Sequence, residues 1–361
     1  LYFLLPVSFY FTKIMFLKNN SLIPLDRFIN KVLYDKKKGY YMNKNPIGYQ
    51  GDFITSPNVS IMFSEMIAIW LISFWEKMGS PKNINIIELG AGNGEMMLQI
   101  LKTIENFKIF KSSSNFFIYE KSLYLTKIQK NKIKFKNIKW INKLNNISKF
   151  PSIFIANEFF DALPIKQFLK KNNFWYEKYI INKNKSLKFF EKKVEKKFIE
   201  KLIKQKIEKN QKFIEYSPLA NKKLHTISKI IKKNNGGLLI FDYGYKDKKM
   251  FDTLQSVKNH KKNILFENIF KADITHLINF DFYKKKILNL KIDSVSLTTQ
   301  REFLLKMGIL ERAEIISKNM PFTKKSDIYF RIKRLIDKKQ MGTLFKVLFA
   351  TNKKNNFNLG F

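Results

Sequence analysis

The sequence predicts an α/β fold: a mostly parallel sheet with helices on both faces, a helical extension in front of it and an antiparallel β insertion within it. Three observations carry this expectation. Apolar runs alternate with helical stretches at Ile84–Leu89, Phe116–Glu120, Ile138–Trp140, Ser152–Ala156 and Leu238–Gly244, as strands joined by crossovers do. Three of the runs lead into an acid, Glu88, Glu120 and Asp242. The first is followed at once by Gly90-Ala91-Gly92-Asn93-Gly94 and a helical stretch from Glu95 to Leu101.

In chain order, Leu1 to Leu17 are strongly apolar. The stretch is short for a membrane span, contains Pro6 and Lys13, and shows no small-residue cleavage site. It reads as an over-extended frame ahead of Met15, with an organelle-targeting remnant as the lesser option. Pro24 to Tyr34 reads as an amphipathic helix opened by proline. Gly48 to Pro57 is a Gly-containing loop with hydroxyls near its end. Val59 to Trp75 is an apolar helix that packs over the sheet. After the glycine turn come the strands already named and a helix from Ser122 to Lys130. Ile165 to Phe190, rich in aromatic and β-branched residues with turn signals at Asn172-Asn173 and Asn182–Ser186, reads as the β insertion. Glu191 to Asn210 reads as an exposed amphipathic helix. Phe213–Pro218 leads into a helix ending near Asn234. Phe251 to Ile274 is loop-rich, Thr299–Met307 and Ile328–Ile336 are helical, Gly342–Phe349 is a closing strand, and the polar tail frays after Asn352. The expected organisation is an apolar segment 1–21, a helical extension with a covering loop 22–80, a main domain 81–349 with an insertion at about 165–212, and a tail 350–361.

Composition narrows the chemistry. There is no cysteine, so disulfides and thiolate sites are excluded. The three histidines, His225, His260 and His276, have no metal-ligand spacing, and no metal is expected. The formal charge of +39 invites a nucleic-acid reading. Yet only five basic residues are arginine, and lysine is over-used together with Asn, Ile and Phe, which share A/T-rich codons. A phosphate-reading surface would favour the bidentate arginine fork.

The glycine turn binds a ligand or merely turns the chain. Its order, G-x-G-x-G, differs from the G-x-G-x-x-G of dinucleotide binders. Glu88, at the ligand edge of an open sheet, would repel a pyrophosphate. It suits S-adenosyl-L-methionine, which carries a sulfonium, an α-amino group and a ribose diol but no phosphate. Glu120, one βα unit later, can accept both ribose hydroxyls. The second anchor is Asn157-Glu158-Phe159-Phe160-Asp161-Ala162-Leu163-Pro164, after the fourth strand. Glu158 and Asp161 can engage a cationic amine, with Asn157 shaping the turn. Nucleic-acid amino-methylases carry prolines here, and this segment lacks them until Pro164.

Taken together, the motifs resemble the MidA-type methyltransferases. The matching pieces are GYY at 39–41, GDFITSP at 51–57, ELGAGNG at 88–94, YE at 119–120, ANEFFDALPI at 156–165, FDYGY at 241–245, DTLQSVKNH at 252–260, ADIT at 272–275, TQREFLLKMGI at 299–309 and MGTLFKVL at 341–348. The family commonly reads ELGPGRG where this chain has Ala91 and Asn93, and it continues differently after ADIT, where this chain has His276-Leu277. The resemblance implies a class I (Rossmann-like) methyltransferase fold with S-adenosyl-L-methionine as cofactor. It also implies a protein arginine as substrate, by similarity to a mitochondrial member that methylates a core subunit of respiratory complex I during assembly. The expected cofactor contacts are Thr55, Glu88, Gly90, Gly92, Gly94 and Glu120. The expected catalytic groups are Glu158, Asp161 and Asn157. Recognition of the protein substrate, or a homodimer surface, would fall to the insertion and the C-terminal elements. No specific nucleic acid and no stable membrane insertion are expected, and the location would be the cytoplasm of a bacterium or the mitochondrial matrix of a eukaryote. The alternatives are a non-catalytic assembly chaperone and a nucleic-acid amino-methyltransferase.

Overall fold

The computed structural model describes residues 17–48, 51–144, 147–204, 206–207 and 210–361. Most of the apolar N-terminal segment, residues 1–16, lies outside the described residues. Leu17 is buried beside the insertion, and its carbonyl accepts a 2.7 Å hydrogen bond from the Asn182 side chain.

The front of the chain builds a strand β1 (Leu22–Pro24) and helices α1 (Leu25–Tyr34), α2 (Tyr40–Asn43), α3 (Ser56–Val59) and α4 (Ile61–Lys77). The sheet units follow: β2 (Ile84–Leu89), α5 (Glu95–Thr103), α6 (Lys108–Ser113), β3 (Ser114–Tyr119), α7 (Leu123–Lys132), β4 (Ile138–Ile141) and β5 (Ser152–Asn157). β2 and β5 are buried at every position, which is why both read as mainly apolar runs. The insertion holds β6 (Lys166–Lys171), β7 (Phe174–Lys183), β8 (Ser186–Val194), α8 (Lys196–Ile203) and β9 (Phe213–Tyr216). Then come α9 (Pro218–Asn234), β10 (Gly236–Tyr245), β11 (Gln255–Lys258), β12 (Lys261–Asn263), β13 (Asp273–Thr275), β14 (Ile278–Asn279), α10 (Phe280–Asn289) and β15 (Ser294–Thr299). The chain closes with α11 (Gln300–Lys306), α12 (Ile309–Ser317), α13 (Phe322–Ile336), α14 (Met341–Leu344) and β16 (Phe345–Thr351).

The main sheet runs in the order β15-β16-β10-β5-β2-β3-β4, with β14 added beside β10. The run from β10 to β4 is parallel, and β16 lies antiparallel between β10 and β15. The chain order reverses between β2 and β5, the switch point where open α/β sheets bind ligands. Helix α4 is apolar nearly all round and buries Phe63, Trp70 and Phe74 fully between the sheet and the C-terminal helices. Each such side chain contributes roughly 2–3 kcal/mol. α9 and α10 cover the opposite face.

Several expectations are corrected. Glu191–Val194 continues β8 instead of opening a helix. Only Leu187 of that strand is buried, so its charges sit on a solvated strand. β9 pairs with β6, so Phe213–Tyr216 belongs to the insertion sheet, and β1 pairs with β7 on the same sheet. The supposed loop 251–274 contains most of a three-stranded sheet, β12-β11-β13. The tail does not fray: the Trp70 indole donates a 3.1 Å hydrogen bond to the Leu359 carbonyl, and Phe357 and Phe361 pack on Phe74 and Phe349.

Candidate active site

At the switch point lies a cavity of about 260 Å³. The glycine turn forms one wall. Gly90, Gly92 and Gly94 have φ of 67°, 53° and 79°, the left-handed region that glycine enters without strain. A Cβ on Gly90 would stand 2.7 Å from the Phe159 ring, and one on Gly92 would stand 2.3 Å from the Ile47 side chain. The turn therefore lies tight against both the post-β5 segment and the loop above it.

That loop is held from outside the cavity. The Asp52 carboxylate accepts from the Tyr40 hydroxyl at 2.6 Å and the Asn259 amide at 2.8 Å, and it pairs with Lys44. Its inner end is tied to the glycine turn. The Asn93 side chain donates to Asn58 Oδ1 (2.8 Å), and Asn58 donates to the Thr55 hydroxyl (2.8 Å). Glu120 is fixed as well. Its Oε1 accepts the Lys121 and Ser122 amides at 2.8 and 2.9 Å, and its Oε2 accepts Gln129 Nε2 at 3.1 Å. The same Gln129 amide donates to the Gly92 carbonyl at 2.9 Å. Gln129 thus braces the glycine turn and the carboxylate together.

Beyond β5 the chain turns sharply. Glu158 takes φ 50°, unusual for a side-chain-bearing residue. Its carboxylate accepts from the Asn157 side chain at 3.3 Å and from the Ser56 amide. Asp242 holds the turn from below, accepting the Phe160, Asp161 and Tyr243 amides at 3.0, 3.3 and 2.9 Å. Tyr41 donates to Asp273 at 2.8 Å and stacks on Tyr34 at 5.6 Å, and both rings line the cavity.

The electrostatics are one-sided. Glu88, Glu120, Glu158, Asp161, Asp242 and Asp273 surround this region, and among the described residues none forms an ion pair with Lys or Arg. Burial, reinforced by Glu120, pushes the Glu88 carboxyl up to about 8. Burial and the neighbouring Asp161 raise Glu158, and burial and Asp242 raise Asp161. Burial carries Asp273 to about 7. Glu88 Oε2, Asn157 Oδ1 and Asp161 Oδ1 are buried without hydrogen-bond partners. Unpaired buried carboxylates are costly, and a bound cation relieves that cost.

Residues 66–294 match the family described as "Putative S-adenosyl-L-methionine-dependent methyltransferase". The chain belongs to this methyltransferase family. It is similar to the Xenopus tropicalis "Protein arginine methyltransferase NDUFAF7, mitochondrial", 27% identical over 91% of this chain and 82% of the relative. The Caenorhabditis elegans homologue of the same name is 31% identical over 76% of this chain and 70% of the relative. A crystal structure of a "likely methyl transferase from Burkholderia thailandensis bound to S-adenosyl-homocysteine" superposes with a TM-score of 0.78 at 19% identity, covering 94% of this chain and 90% of that one. This last likeness shows the shared fold.

The cavity's residues fit the cofactor of this family: Glu120, held by three hydrogen bonds, could accept a ribose diol, and Glu88 has an oxygen without a partner that could face a cation. Of the residues expected from sequence, Thr55, Glu88, Gly90, Gly92, Glu120, Asn157 and Glu158 line the cavity. Gly94 does not: it starts α5 and packs against Gln129 and Ile133. Asp161 does not line it either, and lies behind Glu158 among Asp242 and Asp273. Asp242 is no cofactor-edge acid, because β10 runs on to Tyr245 and turns this carboxylate onto the neighbouring turn. His276 is buried, and burial lowers it to about 4, so it is neutral. Sequence reasoning missed Gln129, Tyr34, Tyr41 and Asn58.

A pH consequence follows. Between the ordinary carboxylate range and about 8, folded Glu88 keeps a proton that the unfolded chain releases. Stability of the ligand-free protein therefore falls as pH rises through that window. A bound cation reverses the preference. Calorimetry at pH 7 in buffers of different ionisation enthalpy is expected to show release of about one proton on cofactor binding. Glu88→Gln should abolish most of it.

Proposed function

We propose that this methyltransferase modifies a protein arginine, and that the acceptor is a core subunit of respiratory complex I, met in the mitochondrial matrix if the source is a eukaryote. The observation that carries the reading is the set of buried carboxylates without cationic partners that converge on Glu158. A guanidinium is a permanent cation with a planar fork of donors, and the Glu158 carboxylate, in a cavity that Tyr34 and Tyr41 also line, suits it. The arginine activity named for the relatives supports the same assignment.

When bound, the cofactor supplies an electrophilic methyl group on its sulfonium. Glu88 and Glu120, with the glycine turn, would hold its cationic and diol ends, and Thr55 would close the loop over it. Glu158 would grip the guanidinium and hold one nitrogen toward the methyl group. Alignment and exclusion of water make up most of what a protein contributes to such a displacement. Asn157 would fix the Glu158 rotamer, and Asp161 would act through Glu158 by raising its proton affinity.

Mass spectrometry of complex I core subunits from cells with and without the chain tests the proposal. A methylated arginine present only with the protein is expected. Identical methylation in both removes the acceptor, and complex I assembly rescued by a chain that cannot bind cofactor would favour a chaperone.

A further inference from the structure

The rim of the cavity has the opposite character to its floor. Lys121 and Lys223 line it beside Tyr34, Tyr119, Leu125 and Leu219. The Lys121 ammonium stands 4.4 Å from the centre of the Tyr34 ring. The Lys223 ammonium stands 3.9 Å from the Tyr119 ring centre and hydrogen-bonds the Tyr119 hydroxyl. Among the described residues neither ammonium has a carboxylate partner. Burial, with Lys222 and Lys121 nearby, lowers Lys223 to about 8. Next to this pair α7 begins with two exposed apolar side chains, Leu123 at 81% and Tyr124 at 41%. The two ammoniums are partly desolvated, sit over aromatic rings and repel each other. Like charges held together without a counter-ion await an anion.

We propose that this rim is a selectivity surface for the protein substrate, and that it recognises acidic residues close in sequence to the methylated arginine. The inference rests on the arginine reading of the floor. The two charge layers then act together. The floor accepts a cation, and the rim accepts the carboxylates beside it while rejecting a target flanked by lysines. Leu123 and Tyr124 give the same segment an apolar ledge. Because the cations are partly desolvated, their contribution exceeds that of ordinary surface pairs, and it weakens with salt.

The test is fluorescence anisotropy at low salt with the full chain saturated with S-adenosylhomocysteine. Three synthetic peptides of equal length are compared: arginine between glutamates, arginine between lysines, and citrulline between glutamates. The glutamate-flanked arginine is expected to bind about ten-fold more tightly than the lysine-flanked one. The preference should shrink with added salt and invert in the Lys121→Glu, Lys223→Glu double variant, with S-adenosylhomocysteine affinity held within about two-fold. Equal affinity for the two flanks in the unsubstituted protein, or binding of neither, overturns the inference. So does a loss of S-adenosylhomocysteine affinity in the double variant as large as its loss of peptide affinity, since the lysines would then serve the cofactor. The contrast between arginine and citrulline reports separately on the floor. If it vanishes while the flank preference stands, the arginine reading fails and the acidic preference of the rim survives.

Discussion

Glu158→Gln is expected to lower the rate of methyl transfer by about a hundred- to a thousand-fold while leaving S-adenosylmethionine affinity within a few-fold, a loss in the range seen when one fixed electrostatic group is removed from an active site. The substitution keeps the volume, exchanges one carboxyl oxygen for an amide NH2 and removes the capacity to ionise. Burial and Asp161 hold the free enzyme's Glu158 neutral-leaning, so glutamine resembles the resting form. What glutamine cannot do is take on charge when a guanidinium arrives. The left-handed backbone at this position is expected to survive, because Asp242 fixes the turn independently of the side chain. Single-turnover label transfer, paired with calorimetric cofactor binding, reads the two effects separately. Unchanged transfer would remove Glu158 from the chemistry.

The second large effect is structural. Asp242→Ala leaves the buried amides of Phe160 and Asp161 and the partly buried amide of Tyr243 without their acceptor. Each orphaned donor costs about 1–3 kcal/mol, so a loss on the order of 3 kcal/mol or more is expected in denaturant unfolding. Activity should fall further than stability alone explains, because the freed turn carries Glu158. Asp242→Asn should lie between, retaining one acceptor but pointing donors at donors. A variant within about 0.5 kcal/mol of the unsubstituted protein and fully active would show that the turn is set by its own sequence.

The parts legible in sequence were those where burial and backbone chemistry leave few options. β2 and β5, covered on both faces, are apolar except where Asn85, Glu88, Ser152 and Asn157 interrupt them, and a tight approach by Phe159 and Ile47 required glycine. Other parts depended on partners far along the chain. Gln129 reads as an ordinary polar residue in a helix, and only the fold shows it bridging Gly92, Glu120 and Trp140. Asp242 looks like a third cofactor-edge acid until pairing with β5 places it under the Asn157–Asp161 turn. Charge density misled twice: the end of β8, Glu191–Val194, reads as helix because it is rich in Lys and Glu, and the tail reads as fraying although Phe357 and Phe361 reach the core. The rim lysines had no signature of their own among so many others.

If, as proposed, one cavity holds the methyl donor at Glu88 and Glu120 and sets an acceptor arginine against Glu158, amino-acid analysis of acceptor protein after incubation with methyl-labelled S-adenosylmethionine and the full chain will report it. Label is expected in methylated arginine and strongly diminished with Glu158→Gln; label in nucleic acid or in lysine, or undiminished arginine label with that variant, would overturn the proposal.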